Sequence, residues 1–508
     1  MKKFKIFFLT WVFCVVPCAV LLGAETVSMK DTLTFAIDRE PLSLDPVDPT
    51  VNVKGMIQSC VYDRLLTFDQ NLIPTPCLAE SWKQLDDLTW RFNLRRGVKF
   101  HDGSEFTSRD VLFSLRRLTA KGSAAAKYVR PFDLEHSTCP DDYTFLLKLR
   151  HPYAFVEARL CSSYLCILSE KAVLATGSDH ARHPVGTGPY KFVSWTAGDR
   201  IELTRNDDYW GDRSILKNII IRVITESASR TIELESGGVD MTLSLPNNDA
   251  KRIAENPDLV ASVHPSSSLR YIGFNCDKDV FKDVRVRQAL TYATDVPTLR
   301  SILYGEETSG EAFGPVPTNL KGSNRSALLY RYNPEKAKQL LREAGYENGI
   351  TVEFMYLANS TNNMLAELLQ QMWGELKITL KLKPTESGAL TTALNKGQQE
   401  ICSAGTTYSL GEAGEGLYLM FHSSSKGSSS DRTNLSDPEV DKLLDKIIVT
   451  ADSAQRAALV MEAQTVIAKL APMICLSNQY SIIGASKNLV GLRPAGIGEY
   501  DFTHCYFR

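Results

Sequence analysis

The sequence contains no G-x-S-x-G nucleophile elbow, no H-E-x-x-H, no Walker loop and no G-x-G-x-x-G. The local patterns that announce a hydrolase, a zinc protease or a nucleotide-dependent enzyme are therefore missing. Gly411-Glu-Ala-Gly-Glu-Gly416 spaces its glycines in the reverse order, and its two acids would repel a phosphate. Charge of one sign is also absent, since 57 basic against 59 acidic side chains leave −2. That balance lacks the electrostatic footprint of a nucleic-acid binder. Eleven cysteines, less Cys14 and Cys18 of the apolar N-terminus, leave an odd nine with no two-residue spacing. They specify neither a zinc ribbon nor a closed disulfide framework. Cys161 and Cys166 are spaced to bridge in an oxidising compartment, but the preferred reading is small apolar packing groups. His180 and His183 lie three apart in a polar stretch without an evident third ligand, so they are read as surface residues and not as a metal site. No repeat of 20–50 residues appears, which excludes a solenoid.

What is present is ordinary soluble composition, 44% hydrophobic and 23% charged, over 508 residues. At roughly 100–200 residues per domain, two or three domains are expected. One long apolar run stands out. Lys2, Lys3 and Lys5 precede Ile6 to Gly23, and Leu22-Gly23-Ala24 supplies small residues before Glu25, the layout of a secretory signal over 1–24. Thr10, Cys14, Pro17 and Cys18 interrupt the run and favour cleavage over a stable spanning helix. Pro17 is a poor fit to the small residue expected before a lipidated cysteine, so a lipid anchor at Cys18 is disfavoured. The expected compartment is the periplasm.

Periodicity gives the coarse order. Asp31 to Asp38 alternates like a half-buried strand and enters a turn at Pro41-Leu-Ser-Leu-Asp-Pro46. Thr89 to Arg95 alternates again, His101-Asp-Gly-Ser104 has turn chemistry, and Thr107-Ser-Arg-Asp110 opens a helix to Leu118 as a capping box. Asn333 and Pro334 open a helix ending near Gly345. Thr351 to Leu357, Thr361 to Leu376 and Ile378 to Leu382 then form a βαβ unit. Helices are expected over Pro438 to Val449 and Ala454 to Leu470, and a strand at Ile482 to Ala485. The class is α/β.

Several stretches, read together, resemble the family 5 extracytoplasmic solute-binding proteins, the peptide, nickel and glutathione receptors of ABC importers. They are Leu78-Ala-Glu-Ser-Trp82, Trp90 to Gly103 with Phe106 to Ser114, and Pro184-Val-Gly-Thr-Gly-Pro-Tyr-Lys-Phe192. Arg205-Asn-Asp-Asp-Tyr-Trp-Gly211, Leu234 to Asp240, Val284 to Leu290 and Tyr332 to Ala337 continue the likeness, which runs from about residue 31 to the C-terminus. On their own chemistry these motifs read as scaffold: Gly186-Thr-Gly-Pro189 is a chain crossing, and Arg285 and Arg287 would pair with acids. The resemblance implies a two-lobed periplasmic-binding-protein fold, type II and cluster C-like, with an inserted subdomain in the first lobe. The implied limits are 25–270 for lobe I, with the insertion at about 60–185, then 271–485 for lobe II and 486–508 returning to lobe I.

The resemblance also directs attention to the ligand loops. Peptide receptors of the family typically place an aspartate before the stretch equivalent to Met420-Phe421-His-Ser423; here that position falls on Ser409 and the usual Asp-Pro pair is absent. Ser409-Leu-Gly-Glu-Ala413 is instead similar to the glutathione-binding subgroup, as are Asn359-Ser-Thr361, Lys396-Gly-Gln-Gln-Glu400 and Leu269-Arg-Tyr271. Glutathione carries two carboxylates and one ammonium, so its site needs cationic donors and one acceptor. Arg270, ahead of the apolar strand begun by Tyr271, is the candidate carboxylate donor or an ion pair within one lobe. Glu412 is the candidate ammonium acceptor or a solvated loop acid. Tyr271 beside Arg270 is a further candidate ligand-binding residue, and Asn359, Ser360, Tyr408 and Ser409 are candidate neutral hydrogen-bonding groups. The expected function is capture of short peptides, glutathione among them, between closing lobes for delivery to an ABC permease, by a monomer without cofactor or catalysis. The alternatives are a nickel-complex or haem receptor of the same fold, a secreted peptide-binding chaperone, and a secreted hydrolase.

Overall fold

The computed structural model describes residues 30–48, 52–120, 123, 125–494 and 500–508; the signal reading of 1–24 and Cys18 lie outside the described residues. One mixed sheet of eleven strands runs through the molecule. At one end lie Tyr190–Thr196, Arg200–Arg205, Asn218–Val223 and Thr32–Ile37, and at the other Ile401–Thr407, Ile350–Leu357 and Ile378–Thr385. Two long antiparallel strands, Leu259–Phe274 and Met473–Ser486, join the two ends. Their pairing slips between Pro265 and Leu269 and again between Arg270 and Tyr271. Such bulges bend a strand and re-aim its side chains.

Each end has its own core. Leu33, Phe35 and Ile37 alternate inward from the strand Thr32–Ile37 and meet Ile219, Ile221 and residues from the end of the chain. The Phe35 and Phe502 rings stack at 5.5 Å, so the C-terminus packs on the first strand of the described chain. At the other end the βαβ expectation holds: Ile350–Leu357 pairs in parallel with Ile378–Thr385 across the helix Ser360–Gly374. That helix buries Leu365, Ala366, Leu369 and Trp373, one stripe at helical spacing. Trp373 donates its indole N–H to Thr294 at 3.0 Å, which satisfies its buried polar edge.

A third core contains a four-stranded sheet, Ala79–Asp86, Thr89–Leu94, Thr144–Leu149 and Phe132–Asp141. It is continuous with Tyr408, Leu417, Leu444 and Ile447 from the far end of the chain. The expected capping box forms, with the Thr107 N–H donating to Asp110 at 2.9 Å at the head of the helix Ser108–Arg117. The expected helices appear at Pro334–Glu343, Pro438–Val449 and Ser453–Leu470. The strand expected at Ile482 to Ala485 is the end of a much longer one, because serine and asparagine at Ser477 and Asn478 hid the periodicity upstream.

Two expectations are corrected. His180 is fully buried, its Nε2 3.1 Å from the Tyr62 hydroxyl, while His183 alone is exposed; the polar sequence around His180 folds as a short 3-10 turn over the core. Arg285 pairs with Asp283, but Arg287 is buried and donates to the carbonyls of Leu470 and Phe281, closing backbone groups and not an acid pair. Cys60, Cys402 and Cys505 are buried free thiols, and burial pushes Cys402 and Cys505 up to about 12, as suits packing groups. Cys161 and Cys166 are both buried, and the Cys166 thiol donates to the Ser163 carbonyl.

Candidate functional site

The slip between Pro265 and Leu269 leaves Ser266, Ser267 and Ser268 out of register with Met473–Ser486, midway along the two paired long strands. They line a cavity of about 610 Å³. One wall comes from Met56, Ser162, Ser163, Tyr164, Leu243 and Tyr500; the facing wall comes from Gly405, Thr406, Thr407 and Ser409; Gln479, Tyr480 and Ser481 of the second crossing strand complete it. The size is that of a small-molecule site, and its place between two separately cored bodies is that of a crevice. The lining is rich in hydroxyls, and Lys127 and Arg270 are its charged residues among the described ones.

Arg270 reaches the cavity because of what stands beside it. In the sheet it pairs with Gly405 of Ile401–Thr407. A Cβ at position 405 would stand 2.7 Å from Nη1 of Arg270, so the guanidinium can lie in this position across the neighbouring strand because residue 405 is glycine, and it would have to shift beside any larger residue. Among the described residues this guanidinium has no hydrogen-bonded or ion-paired partner, whereas Arg159, Arg230 and Arg287 are all engaged.

A smaller cavity of about 80 Å³ adjoins, sharing Lys127, Tyr128, Thr406, Thr407 and Ser409. It holds Glu412 and Glu415. Glu415, buried, is ion-paired with the equally buried Arg159 and accepts the Tyr153 hydroxyl at 2.8 Å. Glu412 accepts from Arg456 at 3.4 Å, and burial raises its carboxyl above the ordinary 4.5 against the pull of that arginine. Tyr128 bonds Ser409 at 3.2 Å, and the Ala154 N–H donates to the Ile448 carbonyl at 2.7 Å. These contacts fasten the segment 127–159 to the segment 409–456 and close one side of the crevice.

The sequence candidates thus separate. Arg270 and Ser409 line the large cavity. Glu412, Tyr408 and Ser409 line the small one. Tyr408 is buried, with its hydroxyl donating to the Pro315 carbonyl at 2.8 Å and its ring filling the space a Gly416 side chain would need. Tyr271 is buried in the core beside the cavity and lines neither. Asn359 caps the helix Ser360–Gly374, accepting from the Asn362 N–H at 2.8 Å; Asn359 and Ser360 are exposed and line neither cavity. Lys127, Tyr164, Tyr480 and the serine run 266–268 were not singled out from sequence. The run Ser266-Ser-Ser-Leu-Arg270 carried a signal, being three hydroxyls one residue short of the arginine.

A family model of bacterial extracellular solute-binding proteins, family 5, matches residues 74–428. The chain is 29% identical over 491 residues to a glutathione-binding protein of Pectobacterium atrosepticum, covering 95% of each chain. It is 28% identical over 510 residues to heme-binding protein A of Haemophilus influenzae, covering 93% of this chain and 92% of that one. Its fold matches the periplasmic binding protein DppA of Helicobacter pylori, solved in complex with the peptide STSA, with a TM-score of 0.82 at 27% identity, covering 94% of this chain and 98% of that one. Two lobes joined by crossing strands, a cavity at the crossing and a match over most of its length show that the chain belongs to the bacterial extracellular solute-binding proteins of family 5.

Proposed function

We propose that this protein is the periplasmic receptor of an ABC importer for short peptides, glutathione among them, which it encloses between its lobes and presents to a membrane permease. One observation carries the reading: a cavity of about 610 Å³ whose walls come from both bodies and whose floor is the pair of crossing strands. A solute touching both walls binds the closed arrangement better than the open one, and that difference drives closure. We place the change of lobe within Leu259–Phe274 and Met473–Ser486, and the return to the first lobe in the C-terminal segment that packs on Phe35. Haem, the ligand in the name of the Haemophilus influenzae relative, calls for an apolar slot, and a wall of serine and threonine favours a peptide. Among the described residues no group of three or more His, Cys, Asp or Glu side chains could hold a metal ion, which leaves a nickel site without a donor set. Nor, among them, is any helix long and apolar enough to cross a membrane.

The test is calorimetric titration of the purified protein with reduced glutathione, oxidised glutathione and an unrelated tripeptide. Saturable binding of one or more of them is expected. Heat absent from all three, together with turnover of a peptide, would replace the receptor reading by the hydrolase.

A further inference from the structure

Resting on that reading of the cavity, we propose that the captured solute is an anion whose two carboxylates are read by Arg270 and Lys127, with no acid of the protein binding its amino group. Both cations line the cavity, and no Asp or Glu among the described residues does. The guanidinium of Arg270 has no ion pair among the described residues, and neither has Lys127, whose ammonium stands 5.1 Å from the centre of the Tyr128 ring. A cation over a ring face is held in place, yet its charge is not neutralised. Desolvation lowers the Lys127 pKa, and the pull of Glu415, which is ion-paired to Arg159, does not make up the loss.

The nearest acids are already spent. Glu415 serves Arg159 and Tyr153, and Glu412 serves Arg456. A ligand ammonium on either acid would share a carboxylate whose charge already answers a buried arginine, and would gain correspondingly less from it. Closing two unpaired cations into one cavity is unfavourable by itself, and a solute with two negative groups removes both penalties together. The hydroxyls of Ser162 and Ser163 can donate to carboxylate oxygens, and Ser268 and Thr407, bonded to each other at 2.8 Å, keep one proton between them for the same purpose, whereas Ser266 already donates to the Gln479 carbonyl. Gly405 completes the device by giving Arg270 room to lie over the strand, where its planar fork can take a carboxylate through two bonds.

The experiment is calorimetric titration of the purified protein with glutathione, N-acetylglutathione, glutathione dimethyl ester and trialanine. Glutathione and its N-acetyl form are expected to bind within about threefold of each other, and the ester and trialanine about 100-fold more weakly, since a hydrogen bond to a charged group is worth roughly ten- to hundredfold. Arg270→Gln and Lys127→Gln are each expected to weaken both acids by about 10- to 100-fold, and trialanine, with its single carboxylate, is expected to weaken in no more than one of the two variants. Gly405→Ala, which adds one methyl group beside a movable side chain, is expected to follow Arg270→Gln in direction. Loss of affinity on N-acetylation, trialanine or the ester matching glutathione, or full affinity in both cation variants would overturn the proposal while peptide capture stands. Silence of all four compounds overturns both.

Discussion

The contact between Arg159 and Glu415 predicts how tightly the protein holds its solute. Both side chains are almost wholly buried, at 7% and 5% exposure, and they lie 256 residues apart on opposite sides of the crevice. When the lobes part, each charge regains water; when they close, each depends on the other. Replacing Arg159 by methionine leaves the Glu415 carboxylate buried and unpaired in the closed form, which costs about 3–5 kcal/mol. The open form does not bear that cost. With a factor of ten for every 1.4 kcal/mol, a fall of the closed population by about two to three decades follows, and apparent affinity falls with it. Arg159 also lines the small cavity, so the loss alone would not separate closure from direct contact. Arg159→Met combined with Glu415→Leu and Tyr153→Phe removes both charges and the hydroxyl bonded to them. Such a replacement is commonly neutral or stabilising. The triple variant is expected to bind within about threefold of the parent or more tightly. The assay is titration calorimetry with the tightest ligand of the panel above, alongside the radius of gyration of the free variants by small-angle scattering. Parent-like affinity in Arg159→Met alone would refute the reasoning, because the pair would then not be broken on opening.

Three further outcomes are expected. His101 and His180 are desolvated, and each is held down to about 4 from 6.5. The unfolded chain therefore binds more protons between those values, and stability is lost as pH falls from 6.5 to 4 at about 1.4 kcal/mol per pH unit for each histidine; denaturant titrations of His101→Gln and His180→Gln should each show a shallower slope. Gly186 and Gly188 cross the chain at Val61, where a Cβ at 186 would meet the Val61 carbonyl oxygen at 2.0 Å, so Gly186→Ala should lose about 3 kcal/mol or more, measured by urea unfolding. Asp110 accepts the N–H groups of Thr107 and Glu170, and Asp110→Ala should cost about 1–3 kcal/mol in the same assay.

Local structure was legible wherever one element answers to its own neighbours in sequence. The helix Pro438–Val449 carries its cap, its proline and its apolar stripe within twelve residues, and its limits could be read directly. Leu259–Phe274 could not, since most of its residues before Leu269 are only half-buried and its sequence from Pro265 to Ser268 reads as a loop; it is a strand because Met473–Ser486 lies beside it. Tertiary pairing overrode local preference there. Arg270 was legible as a candidate because it stands directly before the apolar stretch Tyr271-Ile-Gly-Phe274 of a long strand. Glu412 was legible as an acid near the ligand loop, but its partner Arg456 lies 44 residues away, and no spacing rule links them.

The same separation explains why the residues that fasten the crevice escaped notice. Tyr128 and Ser409, Tyr153 and Glu415, Ala154 and Ile448 lie more than 250 residues apart in sequence and meet only where one shared core joins their segments. A sequence can specify each body through periodicity, because periodicity is how a chain buries its own apolar surface. Contacts that form and break as the lobes move need polar groups able to tolerate water in one state and each other in the second. Groups of that kind leave no periodic trace.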